Sequence, residues 1–204
     1  MTAWKLFGND VAYVSTKTFH AHRPRARHLE QPLHQGRLER AASFVGIAAR
    51  EYFAKHDQGA AVADLGCGDG GLLSLIQHAE HVREAWGYDF APANAAGWVE
   101  RGVSASALDV FGQERDAVRL GDITVVTEVL EHLTDPYGAV SWIAEAAEWL
   151  VCSSPWDEDD RWHDECHAWA WDMDGYRELV QQAGFEIVRH EKADRFQVVL
   201  ARKP

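Results

Sequence analysis

The sequence predicts an α/β fold, in which a mostly parallel sheet carries helices on both faces. Between residues 58 and 150, short apolar runs alternate with helical patterns, which is typical of parallel strands joined by crossover helices. Within this stretch, a glycine-rich turn at residues 66–71 joins an apolar run to a helical pattern. Ligands of such sheets bind at the carboxyl ends of the strands, so we expect the functional site there. Acidic residues follow or close four of the expected strands, namely Asp64, Asp89, Asp109 and Glu128.

The first 57 residues precede the alternating pattern. Two short β-like runs, Trp4–Phe7 and Val11–Thr16, flank an Asn-Asp turn and predict a hairpin. A basic, histidine-rich stretch follows it. Pro32 is placed to begin a helix, and the apolar face of that helix runs through about Ala54.

The remaining residues, 58–204, form the expected core, so the whole chain makes one domain. Strands are predicted at 60–65, 82–89, 103–105, 122–127 and 149–154, and helices at 71–79, 92–100, 137–148 and 173–183. An irregular acidic and aromatic loop is expected at 155–171. The last two apolar runs, Phe185–His190 and Arg195–Ala201, predict an antiparallel pair that closes the sheet.

Length and composition fit a single globular domain. The chain has 204 residues, of which 47% are hydrophobic, and no apolar run approaches the ~20 residues that a membrane-spanning helix requires. The N-terminus lacks the apolar stretch and cleavage site of a signal peptide. Three cysteines without a CxxC pair indicate a reduced chain with neither disulfides nor a zinc knuckle. We therefore expect a cytoplasmic protein that does not bind membranes.

The charge balance restricts the class of partner. The formal net charge is −12, and the only basic cluster contains Arg23, Arg25 and Arg27 with nearby histidines. Nucleic-acid backbones are bound by clustered Lys and Arg, so DNA is not expected and RNA is disfavoured. A neutral or cationic small acceptor fits the negative electrostatic field of the protein better than a polyanion does. The basic cluster itself is interpreted either as a solvated arm or as a gate at the cofactor or acceptor.

The glycine-rich turn has the spacing of a nucleotide-type cofactor site. Its glycines allow the backbone to approach a ligand closely, and the helix that follows begins with free N–H groups. Gly66-x-Gly68-x-x-Gly71 also fits the dinucleotide fingerprint, so the glycines alone leave the cofactor open. Asp64 precedes the first glycine by two residues and extends the pattern to Asp-x-Gly-x-Gly-x-Gly. The extended pattern resembles the first motif of class I S-adenosylmethionine (SAM)-dependent methyltransferases.

That resemblance continues in order and spacing over residues 58–201. It implies a Rossmann-like seven-stranded sheet with an antiparallel last strand, and SAM as the cofactor. It also implies that Asp64 positions the cationic methionine end of SAM and that Asp109 accepts a hydrogen bond from the adenine amino group. Asp89 can accept from a ribose diol, which would suit NAD equally well. The resemblance also implies that residues 1–57 form a lid or a wall of the acceptor site. The residues that it implies at the cofactor are Asp64, Gly66, Gly68, Gly70, Asp89, Phe90, Asp109 and Glu128.

Glu128, Glu131 and His132 form a Glu-x-x-Glu-His pattern after the fourth core strand. If a helical turn begins at Glu128, the three side chains share one face. Two carboxylates and an imidazole favour Mg²⁺, Mn²⁺ or Ca²⁺ over zinc, and His167 is a fourth candidate ligand.

The pattern resembles the metal-dependent 2′-O-methyltransferases that modify RNA 3′ ends, and also the O-methyltransferases of ubiquinone synthesis. The first resemblance implies metal ligation by Glu128, Glu131, His132 and His167. The same pattern is frequent in methyltransferases without a metal, in which the histidine packs or acts as a base. Glu131, His132 and His167 are therefore the candidate catalytic residues, and without a metal His132 or His167 would act as the base.

The loop after the fifth strand holds four of the nine tryptophans in the chain. Aromatic faces beside acids fit a sugar ring, because its C–H groups stack while its hydroxyls donate to carboxylates. Alternatively, Trp169 and Trp171 pin the loop to the core, and the acids form a solvated face. The candidate acceptor residues are Trp156, Trp162, Trp169, Tyr13 and His20.

These observations predict a SAM-dependent O-methyltransferase that acts on a hydroxyl of a small polar acceptor, with a saccharide or another vicinal diol favoured. The pKa of an alcohol is far above 7, so Mg²⁺, Mn²⁺ or a well-placed imidazole would help to remove its proton. Fifteen arginines against five lysines, with abundant alanine, indicate a high-GC bacterial source. Actinobacterial sugar O-methyltransferases that form methylated mannosides are one such group. A homodimer is compatible with the sequence.

Four alternatives stay open at this point. An RNA 3′-end 2′-O-methyltransferase shares the Glu-x-x-Glu-His pattern, although the charge balance opposes it. A metal-independent methyltransferase would use a histidine base. An NAD-dependent oxidoreductase would share the glycine turn, but Asp64 and residues 128–132 speak against it. No sequence feature excludes a catalytically silent SAM-binding regulator.

Overall fold

The computed structural model describes residues 3–5, 21 and 24–204. The strands are β1 (Ala3–Lys5), β2 (Ala60–Leu65), β3 (Val82–Asp89), β4 (Ala105–Ala107), β5 (Ile123–Thr127), β6 (Trp149–Pro155), β7 (Trp169–Trp171), β8 (Glu186–Ala193) and β9 (Phe196–Arg202). The α-helices are α1 (Pro32–His56), α2 (Gly71–Ile76), α3 (Ala95–Arg101), α4 (Pro136–Ala146) and α5 (Met173–Gln182). Single turns of 3₁₀ helix lie at His28–Glu30, Pro92–Asn94, Arg115–Ala117 and Leu130–His132.

Seven strands form one sheet in the order β4-β3-β2-β5-β6-β9-β8. The strands from β4 to β6 are parallel, and β9 runs antiparallel to both of its neighbours. The expected fold class is therefore confirmed, including the antiparallel last strand. The chain leaves β2 toward β3 and β4 and later returns to its other side with β5, so the strand order reverses between β2 and β5. Such a reversal opens a crevice at the carboxyl ends of the strands.

Helices cover both faces of the sheet, because successive strand residues point to opposite sides. On one face, Val62 of β2 and Val151 of β6 belong to a core cluster that includes α1, α2 and Trp98 of α3. On the other face, Leu65 and Leu150 belong to a second cluster that includes α4 and α5. The long helix α1 is thus a layer of the fold, and it brings the residues before it to the carboxyl edge of the sheet.

The N-terminal strand pairs with a distant part of the chain. Residues 3–5 of β1 pair antiparallel with residues 169–171 of β7, inside the segment that was expected to be an irregular loop. Pairing of this kind joins segments far apart in sequence, and local patterns do not indicate it. The second run of the predicted hairpin lies outside the described residues, so the hairpin stays a prediction.

Several element boundaries differ from the expected ones. Helix α2 ends at Ile76 instead of residue 79, and β4 begins at Ala105 instead of residue 103. Helix α3 is preceded by a separate 3₁₀ turn that begins at Pro92. Of the helices in the described ranges, none is both long and apolar enough to cross a membrane.

Candidate active site

The glycine turn after β2 adopts the left-handed conformations that its sequence predicts. Gly66, Gly68 and Gly70 have φ angles of 83°, 53° and 80°. A Cβ atom at Gly66 would lie 2.4 Å from Cγ2 of Val129, which follows β5. Both constraints require glycine, so the turn lies tightly against the β2–β5 crevice.

Asp64 lies at the floor of this crevice. Its side chain is 1% exposed, and its Oδ1 atom has no hydrogen-bond partner among the described residues. Burial, together with the charge of Asp89, raises the pKa of Asp64 to about 7. A cationic group in the crevice would satisfy this carboxylate, as the expected role of Asp64 requires.

Asp89 ends β3 and holds the glycine turn in place. Its Oδ2 accepts from the backbone N–H of Gly68 at 2.9 Å, and its Oδ1 accepts from the N–H of Ala91 and from Asn94 Nδ2. A carboxylate has about four lone-pair sites, so one remains for a ribose hydroxyl. The role of Asp89 toward a ribose stays a prediction.

The other two residues expected near the adenosine are not among the lining residues of the cavity at the glycine turn. Phe90 follows β3 and is half-buried. Asp109 follows β4, and its carboxylate turns back toward Gly112, where a Cβ atom would lie 2.1 Å from Oδ2. Its expected bond to an adenine amino group also stays a prediction.

The segment before α1 covers the glycine turn. Side-chain atoms of Arg25 and Leu29 lie over Gly68 and Gly71, respectively. The cavity beside Asp64 has a volume of about 40 Å³. Sites for small-molecule ligands have volumes of roughly 300–1,000 Å³, so this segment has to shift before a nucleoside can enter.

Ion pairs hold the same segment on the core. Arg101 of α3 pairs with Asp69 of the glycine turn at 2.6 Å and with Glu30 at 3.4 Å. Arg27 also pairs with Glu100 of α3. The basic stretch is therefore attached at the cofactor cleft, as the gating interpretation requires.

A larger cavity of about 720 Å³ adjoins the first one. The two cavities share Glu128, Arg25 and His28 in their walls. The wall of the larger cavity combines acids, histidines and arginines, and its charged members are Glu128, Glu131, Glu158, Asp164, Glu165, Arg25 and Arg195. We call it the acceptor cavity.

Glu131, His132 and His167 converge in the acceptor cavity. One potential metal-ligand atom from each of the three lies within 4.8 Å of the other two. Both carboxylate oxygens of Glu131 are buried without a hydrogen-bond partner among the described residues. Burial and the charge of Glu128 raise the pKa of Glu131 to about 8. These three residues were expected to lie together, and the fold brings them together.

Glu128 does not join this cluster, which corrects the expected set of four ligands. The helical turn does not begin at Glu128, because this residue is left-handed with a φ of 55° and the 3₁₀ turn starts at Leu130. Its Oε1 instead accepts from Ser153 Oγ at 2.8 Å and lies 4.0 Å from Arg37 Nε. Glu128 therefore lies between the two cavities.

Glu158 is a site residue that sequence reasoning treated only as one of several loop acids. Its Oε2 lies 2.6 Å from His167 Nδ1, and its Oε1 accepts from the N–H of Asp164. Burial lowers the pKa of His167, but the bond to Glu158 and the charge of Glu131 outweigh burial and raise this pKa to about 9. No sequence pattern distinguished Glu158 from the neighbouring acids.

The Nδ1 atom of His132 lies 3.0 Å from the carbonyl oxygen of Cys166. A carbonyl only accepts, so this nitrogen carries a proton and, in the neutral ring, the lone pair is on Nε2. That tautomer suits either metal ligation or proton abstraction.

Arg37 is a second residue that sequence reasoning missed. It lies on α1 in helical phase with buried Ala41, Phe44 and Ala48, and it is only 2% exposed. A charged residue in phase with an apolar stripe is a signal that could have identified it.

The acceptor candidates separate into three groups. Trp162 lines the acceptor cavity, is 53% exposed and lies under Arg195. Trp156 lies outside the cavity lining and donates from Nε1 to the carbonyl of Asp194, and Trp169 stacks on Trp171 in β7. The stacking of Trp169 on Trp171 fits the interpretation that Trp169 and Trp171 pin the loop to the core. Tyr13 and His20 lie outside the described residues.

Comparison with known proteins gives one family and several similar structures. A family model described as a methyltransferase domain matches residues 34–190. Trans-aconitate 2-methyltransferases from the Mycobacterium strains KMS, JLS and MCS are 35% identical over 133 residues. The match covers 62% of this chain and 50% of each relative, so the chain spans about half the length of the curated relatives it matches.

Among solved structures, the N-methyltransferase NodS from Bradyrhizobium japonicum WM9, in complex with S-adenosyl-L-homocysteine (SAH), has a TM-score of 0.66 at 18% identity. That alignment covers 95% of this chain and 98% of NodS. Magnesium protoporphyrin IX methyltransferase ChlM from Synechocystis PCC 6803, with bound SAM, has a TM-score of 0.63 at 15% identity. That alignment covers 98% of this chain and 95% of ChlM. The cyclase SpnF has a TM-score of 0.64 at 16% identity, and the alignment covers 97% of this chain and 94% of SpnF. At these identities the likeness shows the fold and not the reaction.

Proposed function

The chain belongs to the methyltransferase domain family, and from that premise we propose that it is a SAM-dependent O-methyltransferase. Its proposed acceptor is a hydroxyl of a small polar molecule, with a saccharide or another vicinal diol favoured. A divalent cation in the acceptor cavity is part of the proposal. The cofactor assignment is supported by the glycine turn, by the buried carboxylate of Asp64 and by the SAM and SAH ligands of similar structures.

The observation that carries the acceptor part is the convergence of Glu131, His132 and His167. The cluster borders a cavity large enough for a sugar, since small-molecule sites have volumes of roughly 300–1,000 Å³. Glu128 connects this cavity to the cofactor cleft. An acceptor oxygen at the cluster would therefore lie on the side from which the methyl group is transferred.

The donor set favours some divalent cations over others. When bound, such a cation would lower the pKa of a coordinated hydroxyl and orient a diol. With Glu128 outside the cluster, two imidazoles and one carboxylate remain, instead of the oxygen-rich set expected from the sequence. Imidazole suits Fe²⁺ and Zn²⁺, whereas carboxylates suit both Mg²⁺ and Mn²⁺, and of these two we place the transition metal Mn²⁺ first for a mixed donor set.

The side chains of this chain have separate tasks in this proposal. Glu131, His132 and His167 bind the cation and position the acceptor oxygen. Glu158 orients the ring of His167. Methyl transfer from a sulfonium is an in-line displacement, so the main requirement on the protein is positioning. Without a cation, His132 is the better base, because His167 with a pKa of about 9 is protonated at neutral pH.

A second candidate is O-methylation of a carboxylate acceptor. Arg25 and Arg195 line the acceptor cavity, and the similar Mycobacterium proteins are named for trans-aconitate, a carboxylate. A carboxylate is already ionised near neutral pH, so its methylation needs neither a base nor a metal. The two candidates therefore differ in their response to chelation.

The test is methyl transfer from labelled SAM to four acceptors: methyl α-mannoside, a simple vicinal diol, trans-aconitate and a short RNA. Each reaction is run before and after exhaustive EDTA treatment, and again with Mn²⁺ or Mg²⁺ restored. The main proposal expects transfer to the mannoside or diol that is lost on chelation and restored by Mn²⁺. Glu131→Gln should abolish this transfer and leave SAH affinity unchanged.

Other outcomes identify the alternatives. Transfer to trans-aconitate that survives EDTA supports the carboxylate candidate, and transfer to RNA supports an RNA 2′-O-methyltransferase. Sugar transfer that survives EDTA, but is lost in His132→Asn, supports a histidine base without a metal. Thermal protection by NADH but not by SAH would contradict SAM as the cofactor.

A further inference from the structure

We propose that the acceptor is a glycoside with an aromatic aglycone. Its sugar hydroxyl lies at the cluster of Glu131, His132 and His167, and its aglycone lies on an apolar surface at the other end of the acceptor cavity. We call this the aglycone surface, and its residues, all of which line the cavity, are Leu33, His34, Trp162 and Phe196. The inference rests on the proposed function and extends it from the reacting hydroxyl to the group that the sugar carries.

The strand order places the aglycone surface away from the cluster. Glu131 and His132 follow β5, whereas Phe196 begins β9 and is paired with Pro155 at the end of β6. Strand β6 lies between β5 and β9 in the sheet. Neighbouring strands are about 4.8 Å apart, so Phe196 lies roughly 10 Å across the sheet from the end of β5. One sugar ring with its glycosidic bond spans a distance of this order.

Two members of the aglycone surface are apolar side chains that are exposed to solvent. Six large apolar side chains are exposed among the described residues, and of these Leu33 and Trp162 line the acceptor cavity. Leu33 lies in the first turn of α1 and Trp162 in the loop after β6, so two distant segments supply apolar area to one cavity. Apolar side chains that gather at a concave site indicate a ligand that covers them.

The other two members are rings without a charge at neutral pH. The ring centroid of His34 lies 5.1 Å from that of Phe196 and 3.9 Å from that of His28. Burial and the nearby charge of Arg37 lower the pKa of His34 to about 4, so its imidazole is neutral at pH 7. Aromatic groups pack on such rings in offset or edge-to-face contacts. An aromatic aglycone therefore fits this surface.

An anionic group is the main alternative occupant, because Arg25 and Arg195 also line the cavity. The guanidinium of Arg195 pairs with Asp157 at 3.0 Å and lies 4.2 Å from the ring centroid of Trp162. The chain itself thus compensates this charge. Arg25 lies over Gly68, on the side of the cofactor cleft. A neutral aglycone suits this end of the cavity better than a carboxylate does.

Calorimetry with three mannosides, on protein loaded with SAH and Mn²⁺, tests the proposal. The ligands are methyl, phenyl and carboxymethyl α-mannoside, which differ only in the aglycone. The proteins are the wild type, Leu33→Asn, Trp162→Ala and the control Phe53→Asn. Phe53 also lies on α1 and is 36% exposed, compared with 45% for Leu33, but it does not line the cavity.

We expect the wild type to bind phenyl α-mannoside about 10–100-fold more tightly than methyl α-mannoside, the effect of burying a ring of this size. Leu33→Asn and Trp162→Ala should each reduce this ratio by about threefold or more, and Phe53→Asn should keep it. An unchanged ratio in both cavity variants would place the phenyl ring elsewhere and overturn the proposal. Tighter binding of the carboxymethyl than of the phenyl compound would overturn it in favour of an anion. Both wild-type comparisons are independent of whether a variant folds.

The outcomes also distinguish this inference from the proposed function. Methyl transfer to methyl and phenyl α-mannoside with equal affinity and equal KM would leave the proposed function intact and overturn the aglycone surface. If the wild type neither binds nor methylates any of the three mannosides, the saccharide acceptor of the proposed function fails, and the aglycone surface fails with it. Melting temperatures show whether each variant is folded.

Discussion

Nδ1 of His167 lies 2.6 Å from Oε2 of Glu158, and both residues are buried. The carboxylate accepts a hydrogen bond from the N–H at Nδ1, so a neutral His167 presents the Nε2 lone pair for coordination. The same bond favours the protonated ring when no cation competes for that lone pair. A histidine held in this way suits metal ligation and is a poor general base at neutral pH.

The first prediction concerns this carboxylate. Glu158→Gln should weaken Mn²⁺ binding by about 10–100-fold, the usual cost of losing an outer-shell partner of a ligating histidine. Calorimetric titration with Mn²⁺ measures the change, and SAH affinity should stay the same. Glu165→Gln is the matched control, because Glu165 lines the same cavity but is exposed. Equal Mn²⁺ affinity in the two variants would contradict the role of Glu158.

The second prediction concerns the glycine turn. Gly66→Ala combines a φ of 83° with a Cβ contact of 2.4 Å to Val129, whereas Gly184 has a φ of 88° and open space around it. Both substitutions should cost about 1–2 kcal/mol of unfolding free energy, because of the left-handed backbone. Gly66→Ala should cost about 1–3 kcal/mol more from overpacking and should also lose SAH binding. Denaturant unfolding and SAH calorimetry check this, and SAH affinity retained in Gly66→Ala would disagree with it.

The third prediction separates two tryptophans of the loop after β6. Trp156→Ala removes a hydrogen bond to the Asp194 carbonyl and the ring under Lys192, so it should cost about 1 kcal/mol or more. Trp162→Ala should change stability by less than about 0.5 kcal/mol, because that ring is 53% exposed. Trp162→Ala should instead raise the acceptor KM without changing SAH affinity. The reverse pattern in melting and steady-state kinetics would move the acceptor wall to Trp156.

The fourth prediction is a pH dependence of stability at the segment over the glycine turn. Burial and the nearby charge of Arg25 lower the pKa of His28 to about 2. Below the unfolded pKa of about 6.5 the unfolded chain binds this proton and the folded chain does not, so the contribution of His28 to stability is lost as the pH falls. Buried acids with raised pKa values, such as Asp64 and Glu131, have the opposite sign over part of this range.

The difference between the wild type and His28→Gln isolates the histidine, because the buried acids are present in both proteins. From about pH 7 to about pH 5, the wild type should lose unfolding free energy relative to the variant, by at most about 1.4 kcal/mol per pH unit. Denaturant unfolding at each pH gives the two curves. Parallel curves would show that His28 keeps an ordinary pKa in the folded protein.

Much of the cofactor side could be predicted because its residues are close in sequence. The glycine turn, Asp64 and the start of α2 lie within one strand–turn–helix unit, whose backbone conformation depends mainly on its own glycines. Glu131 and His132 were expected on one face because of their spacing, and the resemblance supported adding His167 to them. Glu128 departed from expectation because its left-handed backbone turns the side chain away from the direction that a helical turn would give.

The sequence by itself determined the fold class and the cofactor cleft, because periodicity and turn residues act over short stretches of chain. Only the tertiary structure decided which charged side chains meet. Arg37 lines one cavity together with Asp64 from a helix before the core strands, β1 pairs with β7, and Glu158 selects the tautomer of His167 from within one loop of many acids. Such contacts depend on how separate elements pack and on single backbone angles, and a local residue pattern specifies neither.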